Sequence, residues 1–321
     1  MLKTDMLTKI NVVKAGEVVL EEGDTCLVIP SYYDEFPLES SVLSEEDEIT
    51  LQALVDREII TGKLKSYYYL PTPGKHYQGV LVMGLGRRSE CDAEALRRCA
   101  GTIVAPLKRN RVRPVYLDVS RFEELAPEVF VEGLNLGQYH FDTYKKSDNG
   151  PVTVSEITVV TSDGADREQV GLACQRSALI SLAANGARHF ANTASNDMRP
   201  ETFAQAAYQI ANMEDSCCTC TVLEESHMAE LGMNALLGVA RGGEFSPKLV
   251  FLKYRHPEAS RTVALVGKGV TFDSGGISLK PAGKMHEMKF DMWGAASVLC
   301  TLMAVSHLKP AIHLIGVFPA C

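Results

Sequence analysis

The ionisable residues best placed to do chemistry in this 321-residue chain lie in one stretch, Val266 to Val298, VGKGVTFDSGGISLKPAGKMHEMKFDMWGAASV. Lys268 ends an apolar, strand-like run; Asp273 follows in a loop with Gly275 and Gly276; Lys280 comes next, and Asp291 sits in a segment of helical character. Two carboxylates and two amines can thus converge at one sheet edge, where hard oxygen ligands hold divalent cations. The glycines supply positive φ and let the backbone approach closely. Each residue also has a plainer reading: Asp273 as a turn cap, Asp291 as a helix-surface charge, Lys268 in an ion pair, Met288 as core. Their joint spacing is what points to chemistry. His286 and Glu287, in the same stretch, read as solvated or supporting positions.

Other motifs carry less. The GKG at 267–269 lacks the upstream glycine and the following Ser or Thr of a phosphate loop, and the GLG at 84–86 lacks the third glycine of a dinucleotide fingerprint. Cys217, Cys218 and Cys220, with His227 nearby, do not form the paired C-x-x-C of a structural zinc site and read as thiols in and beside a strand. Nine cysteines at irregular spacings indicate reduced thiols rather than a disulfide framework. The net charge of −8 argues against nucleic acid as a partner, and the KRNRVR run from Lys108 to Arg113 reads as the basic last turn of a helix. No apolar run approaches the roughly 20 residues of a membrane span, and the N-terminal MLKTDMLTKINVVKAGE lacks the core of a signal peptide, so the expected location is the cytoplasm.

Around these residues, short β-like runs alternate with amphipathic helical ones. INVVKAG, TCLVIPSYY, SYYYLP, GVLVMGLG, PVYLDV and EITVVT read as strands, with helices near 45–58, 92–109 and 122–136 between them. Such alternation predicts an α/β domain with a mainly parallel sheet over residues 1–164. The SDGAD turn then leads into a long helix, a linker over 165–190. A second domain, 191–321, reads as helices from about 203 and 226, strands CTVLE, KLVFLKY and TVALVGKG, a helix from about Met285 to Ser306, and a last strand AIHLIGVF. Functional groups of open α/β sheets gather at the carboxyl ends of strands, and the chain stops at one. A final strand left uncovered would be an open edge.

GKGVTFDSGGISLK followed by MKFDMWGAA resembles the leucyl (cytosol) aminopeptidase family, whose signature joins a Lys, an Asp-Ser-Gly-Gly loop, a second Lys and a helical Asp. Weaker similarity runs upstream through ANTASNDMRPETFA and LLGVARGGEFSPKLVFLKY. The resemblance implies the first part of a zinc-peptidase-like α/β/α catalytic domain and a two-metal exopeptidase using zinc or manganese, or magnesium. It assigns Lys268, as a neutral amine, and Asp291 to one metal, and Asp273 to a bridge between both. It leaves Lys280 protonated to stabilise the oxyanion, and places Met288 against the substrate's first side chain. It also implies short, leucine-like peptide substrates and a hexamer.

The sequence departs from the family in one respect. The remaining ligands, and an Arg that helps hold a bicarbonate base, lie in a later family segment resembling N-T-D-A-E-G-R, which this sequence does not contain. The expectation is weak or no stable dimetal binding and no normal turnover by this chain alone. Three explanations stand: a split enzyme completed by a second chain, a truncated chain or gene, and a non-catalytic homologue acting as a DNA-binding or regulatory protein.

Overall fold

The computed structural model of the protein describes residues 7–19, 25–33, 40, 42–72, 76–122, 124–146 and 152–321. The opening MLKTDM, part of the segment read above for a signal peptide, lies outside them. The described residues form two compact units: one from 7–140 and 145–182, the other from Phe141–Tyr144 and Ala183–Cys321.

The first unit is built on a six-stranded sheet. Its strands are β1 (Lys9–Lys14), β2 (Cys26–Ser31), β3 (Tyr67–Pro71), β4 (Gly79–Gly84), β5 (Pro114–Asp118) and β6 (Glu156–Thr161), in the order β1-β6-β5-β2-β4-β3. Every pairing is parallel except β3 with β4. Central strands buried on both faces need continuous apolar runs, and every residue of CLVIPS in β2 and GVLVMG in β4 is buried. The helices are α1 (Glu45–Asp56), α2 (Ala93–Thr102), α3 (Val104–Arg109) and α4 (Pro127–Gln138). Ser44 and Asp92 cap α1 and α2 by accepting from the third backbone N–H.

Two helices differ from the sequence expectation, and proline explains both. The helix read over 92–109 breaks at Ile103, because the ring of Pro106 opposes the carbonyl four residues earlier. The helix read from Phe122 starts at Pro127, whose ring holds Ala126 extended, with ψ 98.

Helix α5 (Arg167–Asn192) contributes residues up to Leu182 to the first unit and the rest to the second. The second unit continues with α6 (Pro200–Ala211), β7 (Cys218–Leu223), α7 (Glu225–Glu230), α8 (Asn234–Ala240), β8 (Lys248–Tyr254), β9 (Thr262–Val266), α9 (Trp293–Leu308) and β10 (His313–Ala320). Its sheet runs β7-β8-β10-β9, antiparallel except for the β10–β9 pair. The last strand is therefore interior, inserted between β8 and β9, and the outer positions among the described strands belong to β7 and β9. This corrects the expectation of an open edge at the chain's end.

The helix read from 285 to 306 is also two pieces: a 3-10 turn over Met285–Phe290, then α9, with Asp291 at the junction. Met285–Leu308 taken whole has the length and mean hydropathy, 1.2, of a membrane-crossing helix, contrary to the expectation that no run comes close. Half of the apolar window is buried inside the protein, where α9 packs Val298, Leu299, Leu302 and Met303 into the core with Phe203, Leu252 and Phe318. Its apolarity is that of a core helix.

Candidate functional site

The carboxyl ends of the parallel pair β9 and β10 place the chemistry-bearing residues. Beyond β9, the N–H of Gly267 still donates to the Val317 carbonyl at 3.0 Å, and the chain then turns out through Lys268. There the backbone meets the start of α9: the N–H of Ala295 donates to the Lys268 carbonyl at 2.7 Å. A Cβ on Gly294 would lie 2.6 Å from the Lys268 nitrogen, so only glycine permits that approach. Beyond Lys268, the Thr271 N–H donates to the Cys321 carbonyl at 2.8 Å, and the Cys321 N–H donates to Gly269 at 3.1 Å. Lys268 and Asp291, 23 positions apart in sequence, are brought together by this locked backbone.

The loop from Asp273 to Lys280 is folded by its own polar contacts. Asp273 Oδ1 accepts from the Gly275 N–H at 2.9 Å, and Gly275 and Gly276 take φ of 95° and 70°. The Lys280 N–H donates to the Ser274 carbonyl at 2.9 Å, and Lys280 Nζ donates to the Asp273 carbonyl at 3.0 Å.

The structure brings four of the five singled-out side chains into one cluster. Lys268 Nζ is 2.5 Å from Asp291 Oδ2 and 3.8 Å from Asp273 Oδ2, while Lys280 Nζ is 2.5 Å from Asp273 Oδ2. Asp291 Oδ2 is buried, with the Lys268 ammonium against it as its charged partner. The Lys280 ammonium, with the Gly275 N–H, holds the Asp273 carboxyl down at about 2. Asp291 chiefly, then Asp273, raises the pKa of Lys268, so its amine is a firmly held ammonium.

Met288, the fifth, is half-buried and is not among the residues lining the cavity beside this cluster. That cavity, of about 380 Å³, is lined by Lys268, Phe290, Asp291, Trp293 and Gly294. Sequence reasoning passed over Phe290 and Trp293. The signal was present: the chain's single tryptophan stands two residues after Asp291, and a phenylalanine immediately before it. His286 is exposed and Glu287 half-buried. The nine cysteines are all free thiols.

Comparison with known proteins gives the chain's relatives. Residues 185–321 match the profile of the cytosol aminopeptidase family, catalytic domain, and residues 28–148 that of the same family's N-terminal domain. A probable cytosol aminopeptidase of Geotalea uraniireducens is 36% identical over 303 residues, covering 92% of this chain and 60% of that protein. One from Geobacter sulfurreducens is 35% identical over 292 residues, with 88% and 58% covered. The chain thus spans about three-fifths of the length of the curated relatives it matches. Among solved structures, the bottromycin maturation enzyme BotP in complex with Mn aligns with a TM-score of 0.74 at 27% identity, over 93% of this chain and 59% of that one. A tomato leucine aminopeptidase variant aligns with a TM-score of 0.79 at 22% identity, over 98% and 62%, a likeness of fold.

Proposed function

We propose a function that proceeds from one premise: the chain belongs to the cytosol aminopeptidase family. The function is metal-dependent release of N-terminal residues, leucine-like ones preferred, from peptides. On this reading residues 1–164 are the N-terminal domain, 165–190 a linking helix, and 191–321 the first part of the catalytic domain. The observation that carries it is the meeting of Lys268, Asp273, Lys280 and Asp291 within 4 Å contacts at the ends of β9 and β10.

Divalent cations fit the residues present, though incompletely. Asp291 Oδ2 is a buried carboxylate oxygen whose close partner is the Lys268 amine, so an ion held there would take the place of the ammonium's proton. With Asp273 and the Lys268 amine it gives three donors, where zinc takes about four and manganese or magnesium about six. Among the described residues no group of three His, Cys, Asp or Glu gathers to hold an ion. The missing donors are assigned to a segment like N-T-D-A-E-G-R, carried on the remaining length seen in the relatives or on a second chain. Alone, this chain is expected to bind metal weakly.

Bound divalent cations supply polarisation of the scissile carbonyl and a water of lowered pKa. Lys268 and Asp291 would hold one ion and Asp273 would bridge two. Lys268 can serve only after losing its proton, because an ammonium has no lone pair, so metal uptake competes with protonation. Lys280 keeps its proton and faces the carbonyl oxygen as charge develops there. Which divalent ion is used, the bicarbonate, the hexamer and the cytosolic location are part of the same proposal. It draws on the name cytosol aminopeptidase for the location, and on manganese in BotP for the ion. The matched relatives are enzymes by name, and nothing in them supports the DNA-binding alternative.

The test uses protein purified from its natural source. Intact mass identifies any second polypeptide bearing the missing donors, and hydrolysis of a leucyl chromogenic substrate is measured with and without chelator. Hydrolysis that a chelator abolishes and a divalent cation restores is expected. Hydrolysis indifferent to chelation, or none from a preparation with every ligand present, would sink the reading.

A further inference from the structure

Asp273 and Asp291 stand on separate stretches of chain, a loop and the junction before α9. Each stretch is tied, two residues upstream of its aspartate, to the same turn, 192–197, between α5 and α6. Ser195 Oγ donates to the Thr271 carbonyl at 2.8 Å, and Lys289 Nζ donates to the Asn192 carbonyl at 3.0 Å. Asn192 is the last residue of α5, and the final carbonyls of a helix lack intrahelical donors and favour a cation. The Ser195 contact completes Thr271, whose N–H and hydroxyl already donate to the Cys321 carbonyl at 2.8 and 2.9 Å.

The turn itself is fixed. Thr193 and Met198 are buried, and the N–H groups of Asp197 and Met198 both donate to the Ala194 carbonyl at 2.9 Å. Tyr144 clasps it across Ser195: its hydroxyl accepts from the Ala194 N–H at 2.9 Å and donates to Asp197 Oδ2 at 2.7 Å. Tyr144 belongs to this unit through the short segment Phe141–Tyr144.

We propose that the turn 192–197 is a brace that sets the position of Asp273 relative to Asp291, with Ser195 and Lys289 as its two arms and Tyr144 as its clasp. The inference rests on the reading that these aspartates hold divalent cations. A metal centre needs its ligands held to within about 0.5 Å, which a loop passing through Gly275 and Gly276 at positive φ does not supply by itself. Its root at Thr271 supplies it, pinned by the end of β10 on one side and by Ser195 on the other. Ser195, Lys289 and Tyr144 act through the backbone that carries the ligands, so they are positioning residues.

Amide hydrogen exchange of the metal-free chain, read residue by residue, tests the brace. Ser195→Ala should speed exchange at Thr271 and Gly275 by about 3–10-fold, the worth of one hydrogen bond, and leave Asp291 and the amides of β8 as they were. Lys289→Met should do the converse, speeding Asp291 alone. Tyr144→Phe, which loosens the turn that both arms share, should speed both stretches, and Ser195→Thr, which keeps a hydroxyl, should restore the slow rates. Unchanged exchange in every variant, a response at only one of the two stretches across the three, an equal acceleration in β8, or no rescue by Ser195→Thr overturns the proposal.

Zn²⁺ retention in equilibrium dialysis, for wild type, Asp273→Asn and Ser195→Ala, keeps the two readings apart. With both right, Ser195→Ala weakens retention by about 10-fold. If the metal reading fails alone, retention does not depend on Asp273 while the exchange pattern stands. If the brace fails alone, retention depends on Asp273 and Ser195→Ala leaves it unchanged.

Discussion

Both sheets end a parallel strand near aspartates, and the aspartates of the two units are treated oppositely. In the first unit Asp118, the last residue of β5, is buried and filled by short neutral donors. Ser40 Oγ donates to its Oδ2 at 2.5 Å, and Ser120 donates to Oδ1 through its backbone N–H at 3.0 Å and its hydroxyl at 2.6 Å. In the second unit the buried Asp291 Oδ2 meets the Lys268 amine, and Asp273 faces the tips of two long lysines. Short serine donors, one of them two residues along the backbone, make an acid structural. Amines on flexible stems leave it exchangeable, since a cation can replace them without unfolding a turn.

The largest contrast should come from activity. In the complete enzyme Lys280→Met is expected to lower kcat by about 10²–10³, the cost of removing one oxyanion donor, while Ser40→Ala leaves kcat unchanged; steady-state kinetics with a leucyl substrate reads both. Stability should reverse the order. Asp118→Ala leaves buried hydroxyl and amide donors without their acceptor and should cost about 1–3 kcal/mol in urea denaturation. Asp291→Ala should cost less than about 1 kcal/mol, because its partner Lys268 is more than half exposed and returns to water. Equal losses would erase the distinction between the two acids.

A smaller effect concerns pH. Asp273 is depressed to about 2, against about 3.9 in an unfolded chain. Its contribution to stability is therefore present above about 3.9 and is lost as pH falls toward 2, with stability rising with pH across that window. Lys280→Met should shrink this acid-dependent loss, read from urea midpoints at successive pH values, and solvent screening keeps the change small. The smallest effect is expected at Ile277, which is fully exposed on the same loop: Ile277→Ser should shift stability by no more than about 0.5 kcal/mol.

The charged cluster was legible because its residues fall in one short stretch, with glycines marking the turns between them. The parallel sheet of the first unit was legible from apolar runs such as CLVIPS and GVLVMG, which suit strands buried on both faces. What the sequence hid was long-range or cooperative. The insertion of β10 between β8 and β9 depends on pairing across more than 50 residues, which no local pattern encodes. The junction at Asp291 was obscured because Met285–Leu308 has the apolarity of one helix, while the backbone contact with Lys268 that marks the start of α9 is made at Gly294 and Ala295, far away in sequence. Phe290 and Trp293 were overlooked because aromatic residues look like core until their exposure is known.

The most direct measurement is anomalous diffraction from crystals of this protein soaked in Zn²⁺. A peak about 2.0–2.2 Å from Asp291 Oδ2 and from an Asp273 oxygen, with Lys268 no longer ion-paired as an ammonium, is the predicted result. Density only elsewhere on the molecule, with the Lys268–Asp291 and Lys280–Asp273 pairs undisturbed at saturating metal, would contradict it.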